Sequence, residues 1–416
     1  MSKQLIVIGG GAAGFFCAIN AARMNPSLKV TIIEKSSKLL SKVKVSGGGR
    51  CNVTHACFDI AEMSKRYPRG QHFVKKAFHQ FFTTDIIKWF EERGVKLKTE
   101  EDGRMFPITD SSQTIIDCLM RETNKYQVEI LMKSEVQSLK YENEKFQIET
   151  SDFRCQTSDF VCIASGGYPK SSMFDWLKEL GHSIEEPVPS LFTFNLPQHP
   201  IAKLMGVSVE NSKIKIPNFR LEEQGPLLIT HWGLSGPAVL RLSAWGAKQL
   251  AISNWQFVII INWLTDFNEQ SLREKFNELR NTNASQKIIN KNPFGLPSRL
   301  WEFLAEQSGI KSEWRWADLP SVEQNKFIKN LCNYECDVKG KTTFKEEFVT
   351  AGGIKLSEVD PNTMMSKKVP NLFFAGEVLD VDGITGGFNF QYAWTSGWVA
   401  AKAIADSISS NVKGET

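Results

Sequence analysis

The chain has 416 residues, more than the roughly 250–300 at which a single hydrophobic core usually stops growing, so we expect two or three structural units. Hydrophobic residues make up 42% and charged residues 23%, which is ordinary for a globular protein and excludes a disordered chain. The 50 Lys and Arg against 46 Asp and Glu leave a net charge of +4, too small to indicate nucleic acid or a membrane as the partner. The composition therefore favours a small-molecule ligand.

Neither the cysteines nor the apolar runs indicate export. The eight cysteines are scattered without a disulfide framework, which is typical of reduced thiols in the cytoplasm. The apolar run Leu5–Ile8 lacks a basic flank and a cleavage site, so we expect a buried strand and not a signal peptide. The most apolar later run, 257–261, is far shorter than the roughly 20 residues of a membrane span. We expect a cytoplasmic protein without a membrane segment.

Residues 1–35 have the pattern of a βαβ unit. The apolar run at 5–8 is followed by glycines, by a small-residue helix from about Ala12 to Met24, and by a second apolar run at 30–33 that ends in Glu34. The change from a continuous apolar run to helical spacing and back predicts two parallel strands joined by a helix.

Two helices and a set of short strands are predicted next. A helical period extends from about Phe73 to Arg93, and another extends from Ser112 to Lys125. Residues 128–163 then change to short alternating apolar runs with polar turns between them, which predicts strands.

The composition shifts after residues 187–190. Seven of the eleven tryptophans fall between residues 230 and 320. Short strands dominate from 191 to about 262, and helical spacing interrupted by prolines follows at 266–335. This middle portion is predicted to be an inserted β-rich plus helical unit.

An α/β pattern returns at the end of the chain. A buried strand leads to Gly376, and residues 383–405 are typical of a loop that opens a small-residue helix. We therefore predict a cofactor-binding domain in two parts, 1–190 and 341–416, interrupted by an insert at 191–340.

The motif G-x-G-x-x-G occurs at residues 9–14, directly after a predicted strand and at the start of a helix. Its glycines permit a tight turn, backbone approach to a pyrophosphate and close helix packing, and the acid at the end of the second strand can accept from a ribose hydroxyl. The motif predicts a dinucleotide cofactor without distinguishing NAD from FAD. The predicted binding residues here are Gly9, Gly11, Ala12, Ala13, Gly14, Glu34 and Lys35.

A second glycine-rich segment, 42–52, favours FAD. Three consecutive glycines where no turn requires them indicate backbone that lies flat against a bound aromatic ring system, although a flexible surface loop is the alternative. The predicted binding residues are Lys42, Ser46, Gly47, Gly48, Gly49, Arg50, Cys51 and Asn52. Cys51 has no CxxC partner and is expected to pack without redox chemistry.

A third glycine-rich segment opens the last predicted helix. Its N–H groups could cap the pyrimidine edge and the ribityl chain of a flavin. The predicted binding residues are Gly376, Glu377, Asp380, Gly386, Gly387, Asn389 and Gln391, and Val136, at the start of an alternating run, completes the predicted set.

Six motifs occur in order along the chain: GGGAAG at 9–14, KVSGGGRCNVT at 44–54, GRMFP at 103–107, THWGLSGPAVL at 230–240, VTAGGI at 349–354 and FFAGEVLDVDGITGGFNFQYAWTSG at 373–397. In these motifs the chain resembles the bacterial flavoprotein family of aminoacetone oxidases and BaiN-like NAD(P)/FAD-dependent oxidoreductases.

This resemblance implies an α/β fold in which a three-layer, Rossmann-like FAD domain is interrupted by a barrel-like β-rich and helical insert. It also implies that FAD contacts Glu34, the 46–52 loop, Asp380 and the 386–391 loop. The sequence departs from the family at His55, where Asn is frequent, and at Phe390, where Leu is commoner.

No catalytic residue or metal site is assigned from the sequence. His231, in the THWGLSGP motif, is the candidate for proton transfer, and a hydrogen-bonded structural histidine is the alternative. Cys332 and Cys336 lack further ligands nearby, so no zinc site is expected.

The sequence thus predicts an FAD-dependent oxidoreductase that transfers a hydride to or from a small organic substrate. No second G-x-G-x-x-G occurs, so NADH or NADPH would dock transiently. One alternative is an FAD-dependent tRNA-modifying protein that uses the basic cluster 65–69 with Lys75 and Lys76. A solvated charged face is the favoured interpretation of that cluster, so no nucleic-acid partner is expected. A non-catalytic redox module is the other alternative, and the sequence predicts neither the direction of the reaction nor the oligomeric state.

Overall fold

The computed structural model describes residues 2–152, 154–342 and 349–413. The chain folds into two compact units. Unit 1 comprises Met1–Ser190 and Lys345–Thr416, and unit 2 comprises Leu191–Phe344.

The elements lie in the following order. The helices are α1 (Ala12–Met24), α2 (Ser41–Gly49), α3 (Ile60–Ser64), α4 (Gln71–Phe78), α5 (Thr83–Glu91), α6 (Ser112–Lys125), α7 (Asp175–Lys178), α8 (Pro237–Ile252), α9 (Glu269–Thr282), α10 (Ser298–Gln307), α11 (Ser321–Cys332) and α12 (Phe388–Lys413). The strands are β1 (Gln4–Ile8), β2 (Lys29–Glu34), β3 (Thr54–His55), β4 (Leu97–Thr99), β5 (Arg104–Pro107), β6 (Glu129–Met132), β7 (Val136–Glu142), β8 (Lys145–Thr150), β9 (Cys155–Ser158), β10 (Phe160–Ile163), β11 (Ile184–Ser190), β12 (Thr193–Asn195), β13 (Ser208–Ile216), β14 (Leu221–Ile229), β15 (Gly233–Ser235), β16 (Gln256–Asn262), β17 (Tyr334–Lys339), β18 (Lys341–Thr342), β19 (Val349–Ile354) and β20 (Leu372–Phe374).

A five-stranded parallel sheet lies in unit 1, in the order β20-β10-β1-β2-β6. In the central strand, Leu5 lies opposite Phe160 of β10 and Val30 of β2. Strands buried on both faces are continuous apolar runs, and Leu5, Ile6 and Val7 are accordingly fully buried. The βαβ unit predicted from the first 35 residues is present, and the predicted α/β fold class is confirmed.

The helix α12 packs tightly against α1. A Cβ atom on Gly397 would lie 2.6 Å from the carbonyl oxygen of Ala13, so only glycine permits this approach. The ring of Phe16 on α1 lies 5.4 Å from that of Trp394 on α12. This contact fixes the position of α1 above the parallel sheet.

The prediction of a single helix at 73–93 is wrong, because the structure has two helices in this segment, α4 and α5. The backbone of Phe82 is extended, and its N–H donates to the Asp85 carboxylate at 2.7 Å. This cap begins a new helix although the apolar spacing continues through the break.

Unit 2 contains an antiparallel sheet in the order β17-β16-β13-β14-β15-β12-β18. The sequence missed α8, which lies within the segment predicted to be mostly strands. Gly236 is the N-cap of α8, and Pro237 is its first residue. Proline is tolerated there because the N–H groups of the first helical turn have no acceptor within the helix. The helices α9–α11 enclose a core of aromatic rings from Phe276, Trp301, Trp316 and Phe327.

In the part of the chain that the structure describes, no helix combines the length and the apolar character needed to cross a membrane.

A histidine is buried against β20, an edge strand of the parallel sheet of unit 1. His182 is 3% exposed, its Nε2 lies 2.9 Å from the Ser366 hydroxyl, and its ring contacts that of Phe374 at 5.0 Å. Burial lowers the pKa of His182, and burial also lowers the pKa values of His55 and His199. The folded chain therefore holds these imidazoles neutral at a pH where the unfolded chain protonates them.

We expect the free energy of unfolding to fall as the pH decreases through about 6.5, because the unfolded chain then binds protons that the folded chain does not. One such histidine accounts for at most about 1.4 kcal/mol per pH unit. Urea denaturation at about pH 7.5 and about pH 5.5 should show a smaller pH dependence for His182→Gln than for the wild type. Equal pH dependence in the two proteins would contradict the assignment to His182.

Candidate functional site

The carboxyl ends of the parallel strands meet at one edge of the sheet in unit 1. The chain leaves β1 toward β2 on one side, and β10 and β20 lie on the other, so the order of connection reverses between β1 and β10. Ligands of open α/β sheets bind in the crevice at such a point. Gly9, Glu34, Ala164 and Ala375 directly follow or end these strands and therefore lie at this edge.

The start of α1 faces this crevice. A Cβ atom on Gly9 would lie 2.3 Å from the Ala164 carbonyl oxygen, and one on Gly14 would lie 2.0 Å from the Gly9 carbonyl oxygen, so both glycines are required for packing. A Cβ atom on Gly11 would meet nothing within 4 Å, and no side chain caps the helix there. The first N–H groups of α1 are thus available to an anion such as a diphosphate.

Glu34 lies beside the start of α1. Its two carboxylate oxygens accept from the N–H groups of Gly10 and Ser36, each at 2.8 Å. A carboxylate has about four acceptor sites, so it can still accept from ribose hydroxyls. The Ser134 N–H donates to the Glu34 carbonyl oxygen at 3.0 Å, which brings the start of β7, with Val136, to the same end of the crevice.

Contacts at both ends hold the segment 40–52 in the crevice. The Leu40 N–H donates to the Gly10 carbonyl oxygen at 2.9 Å, and Lys42 pairs with Glu377 at 2.6 Å. The Asn52 amide, oriented to satisfy its neighbours, accepts from the Gly387 N–H at 2.9 Å. The three segments that the sequence predicts to bind the cofactor are therefore brought together in unit 1.

The glycines of α2 interrupt the helix. Gly47, Gly48 and Gly49 have φ values of 58°, 68° and 84°, and a Cβ atom on either of the last two would meet nothing within 4 Å. This stretch of bare backbone fits a flat ring system. The Arg50 guanidinium instead stacks on Phe106 at 4.0 Å and pairs with Glu100 at 2.5 Å, which attaches the loop to the GRMFP strand. Burial raises the pKa of Cys51 to about 12, so its thiol stays protonated.

Two predicted cofactor ligands have their side chains occupied by protein groups. The Asn389 amide accepts from the Gly383 N–H at 2.8 Å and donates to the Gly383 carbonyl oxygen at 2.9 Å. Gln391 is fully buried, accepts from Thr54 at 2.6 Å and donates to Thr395 at 3.1 Å. Their amides hold the 383–391 loop in place, and direct contact with FAD stays a prediction for both.

Residues that the sequence analysis did not select also support this loop. Tyr67 is buried and donates to the Phe388 carbonyl oxygen at 2.6 Å, and the ring of His55 stacks on Phe388 at 4.7 Å. Arg69 forms a bidentate ion pair with Asp382, which is fully buried and accepts from the Ser190 hydroxyl at 2.7 Å. Burial raises the pKa of Asp382, while Arg69 and Ser190 act in the opposite direction.

The segment after β10 is a further part of the crevice that the sequence analysis missed. A Cβ atom on Gly166 would meet nothing within 4 Å, whereas one on Gly167 would lie 2.6 Å from the Thr350 hydroxyl. Glu377 accepts from the Thr350 N–H at 2.8 Å, so the VTAGGI motif also reaches the crevice. The available signal was a buried strand followed closely by glycines: Gly166 and Gly167 come shortly after β10, as Gly9–Gly11 come directly after β1.

The remaining predicted positions have less defined roles. Lys35 lies with its amine 5.6 Å from the centre of the Tyr168 ring, and Asp380 donates its N–H to the Ile354 carbonyl oxygen at 3.1 Å. His231 is exposed in unit 2, with its ring 4.2 Å from that of Trp232, and its catalytic role stays a prediction. Within the described ranges, no group of His, Cys, Asp or Glu could hold a metal ion.

The glycines of the first motif provide a matched pair of variants. Gly11→Ala places a methyl group in open space, so it should leave the stability of the FAD-free protein unchanged and weaken FAD binding at least roughly tenfold, about 1.4 kcal/mol. Gly14→Ala should destabilise the fold itself by roughly 1–3 kcal/mol, because its Cβ would overlap the Gly9 carbonyl. Flavin absorbance per protein and thermal unfolding measure the two effects. An unchanged flavin content in Gly11→Ala would contradict the site.

The Arg69–Asp382 pair can be tested by a double-mutant cycle. Arg69→Leu should destabilise the protein by about 3–5 kcal/mol, because it leaves a carboxylate buried without its cation. Arg69→Leu combined with Asp382→Leu should cost less than Arg69→Leu alone, since no charge is then left unpaired. Guanidinium denaturation measures both, and purely additive costs would contradict the coupling.

The chain matches the family model described as HI0933-like protein Rossmann domain over residues 3–403. It is 31% identical to the ribosomal RNA dihydrouridine synthase of Escherichia coli over 97% of this chain and 98% of the relative. It is 27% identical to the 3-dehydro-bile acid delta(4,6)-reductase of Clostridium scindens over 97% of this chain and 99% of the relative. A ribosomal RNA dihydrouridine synthase from Haemophilus influenzae is 29% identical.

Two solved structures share the fold. A 3-ketosteroid-delta4-(5alpha)-dehydrogenase from Rhodococcus jostii has 13% identity and a TM-score of 0.50, with 96% of this chain and 97% of that chain covered. The FrdA subunit of E. coli quinol fumarate reductase has 14% identity and a TM-score of 0.50, with 99% and 71% covered. At these identities the likeness concerns the fold alone. The predicted resemblance is confirmed: the chain belongs to the HI0933-like Rossmann family.

Proposed function

We propose that the protein is a reductase in which bound FAD, once reduced by NADH or NADPH, would supply a hydride to a carbon–carbon double bond conjugated with a carbonyl group, with the accompanying proton taken from water. The observation that carries the proposal is the crevice of unit 1, where contacts join the three glycine-rich segments: Leu40 to Gly10, Lys42 to Glu377, and Asn52 to Gly387. Bare backbone at Gly11, Gly48, Gly49 and Gly166 leaves room there for a large flat ligand.

The named reactions of the relatives support this reaction type. Dihydrouridine is uridine whose ring double bond beside a carbonyl is saturated, and a delta(4,6)-reductase of a 3-dehydro bile acid saturates double bonds conjugated with the 3-oxo group. Both substrates therefore carry a polarised double bond that accepts a hydride. Reduction is the direction that the two names share.

The protein's own groups would bind and orient the cofactor. The N–H groups at the start of α1 would hold the diphosphate, and Glu34 would accept from the ribose. The first N–H groups of α12, from Phe388 onward, have no acceptor within the helix, and the positive end of the helix dipole would stabilise negative charge on the flavin's pyrimidine edge. The contacts of Tyr67, Arg69 and Asn389 would keep that helix start in place.

The reductant in this proposal is NADH or NADPH that docks transiently, since the chain has a single G-x-G-x-x-G motif. Two substrate classes remain compatible with the relatives, a steroid-like enone and a uracil base in RNA.

The proposal can be tested by following the flavin spectrum without oxygen. NADH or NADPH should bleach the flavin band, and a 3-oxo-4-ene steroid or a uridine-containing RNA should then restore it. Gly11→Ala protein, depleted of FAD, is the matched control. If an amine bleached the flavin band and neither NADH nor NADPH did, the proposal of a reductase would be wrong and the protein would be an oxidase.

A further inference from the structure

The structure divides the basic cluster at 65–76 into two parts with different roles. Between Glu62 and Asp85 the chain has five Lys or Arg, two His and no acidic residue. Tyr67 and Arg69 face inward, because Tyr67 is 1% exposed and Arg69 pairs with the buried Asp382. These two residues support the 383–391 loop and are not available to a partner.

The remaining residues form an exposed cationic surface, which we call the α4 basic face: Arg66, His72, Lys75, Lys76 and His79. The last four recur at helical spacing on the exposed side of α4, whose opposite side buries Phe73, Val74, Ala77 and Phe78. Among the described residues, Lys75 and Lys76 have no ion-pair partner, whereas Lys65 is paired with Glu62 at 2.6 Å. The positive charge of this face is therefore uncompensated.

The α4 basic face is attached to the loop that is predicted to contact the cofactor. The Ile384 N–H donates to the Arg66 carbonyl oxygen at 3.0 Å. Gly70, which precedes α4, approaches Val381 so closely that a Cβ atom on it would lie 2.6 Å from the valine side chain. A molecule bound along α4 would therefore lie next to the 381–388 segment of unit 1.

An exposed aromatic ring lies in the same part of the chain. Phe58 is 61% exposed and directly precedes the Asp59 cap of α3, which packs against α4. Exposed aromatic rings beside cationic side chains are typical of surfaces that stack nucleic-acid bases while contacting phosphates. A lipid surface would require apolar side chains along the helix, and the exposed side of α4 has none.

We propose that the α4 basic face, with Phe58, binds the phosphate backbone and a base of RNA and so presents a uracil to the flavin site. The stretch from His72 to His79 spans about 10 Å, long enough for two or three phosphates of one strand. This inference rests on the proposed reductase function and selects RNA from its two substrate classes. It reverses the expectation that the protein has no nucleic-acid partner.

The test compares variants of the full-length holoenzyme that change the same number of charges. Lys75→Gln with Lys76→Gln removes two cations from the α4 basic face. Lys140→Gln with Lys145→Gln removes two from the exposed strands β7 and β8. Fluorescence anisotropy with labelled oligouridine RNA, from about 50 to 200 mM salt, measures affinity and its salt dependence.

The α4 variant should bind more weakly than the control, and the slope of log affinity against log salt should be smaller in magnitude by about 1.4, since each contact with a single strand contributes about 0.7. Phe58→Ala should weaken binding by roughly 5- to 100-fold with little change in slope, because stacking is not ionic. Both variants should keep the flavin content and the bleaching of the flavin band by nicotinamide.

Equal RNA affinity in the α4 variant and the control would overturn the docking surface, as would binding of the wild type to phosphatidylglycerol vesicles but not to oligouridine. Either result leaves the reductase intact if nicotinamide still bleaches the flavin and either the enone or a uridine-containing RNA restores it. Failure of those two steps would instead overturn the proposed function itself.

Discussion

The site depends above all on how closely α1 approaches the ends of the parallel strands. A Cβ atom on Gly9 would lie only 2.3 Å from the Ala164 carbonyl oxygen, and a Cβ atom on Gly14 would lie only 2.0 Å from the Gly9 carbonyl oxygen. A larger residue would move the helix away from the strands. The same packing that completes the core therefore directs the N–H groups of α1 into the crevice.

A second constraint acts on the loop between β20 and α12. This loop has little regular pairing, and its conformation is maintained by buried polar contacts: the Arg69–Asp382 pair, the Tyr67 hydroxyl, and the amides of Asn389 and Gln391. In a low-dielectric interior such contacts are strong, and breaking one leaves a costly unpaired group. The loop that is predicted to contact the flavin is thus held by residues from distant parts of the chain, and the proposed RNA-binding face is attached to the same loop.

The sequence predicted well the features whose physical cause is local. The spacing of glycines at 9–14 and the acid at Glu34 depend on neighbouring residues, so the βαβ unit could be predicted from them. The break at Phe82 was missed because its cap is polar while the apolar period continues. The glycines at 166–167 were missed because their role requires β10 to lie beside β1, where Ile163 is opposite Ile8.

By itself the sequence determined the α/β class and the family, and it predicted the segments that would bind a dinucleotide, because backbone geometry restricts which residues can occupy those turns. Only the tertiary structure decided which of the predicted polar side chains bond to other protein groups. Asn389 and Gln391 bond to protein groups, and Arg50 stacks on Phe106. The basic cluster divides in the same way, with Arg69 turned inward to Asp382 and Lys75 outward to solvent. The physical reason is that a polar group is buried only where it meets a partner, and Asp382 lies more than 300 positions from Arg69 along the chain.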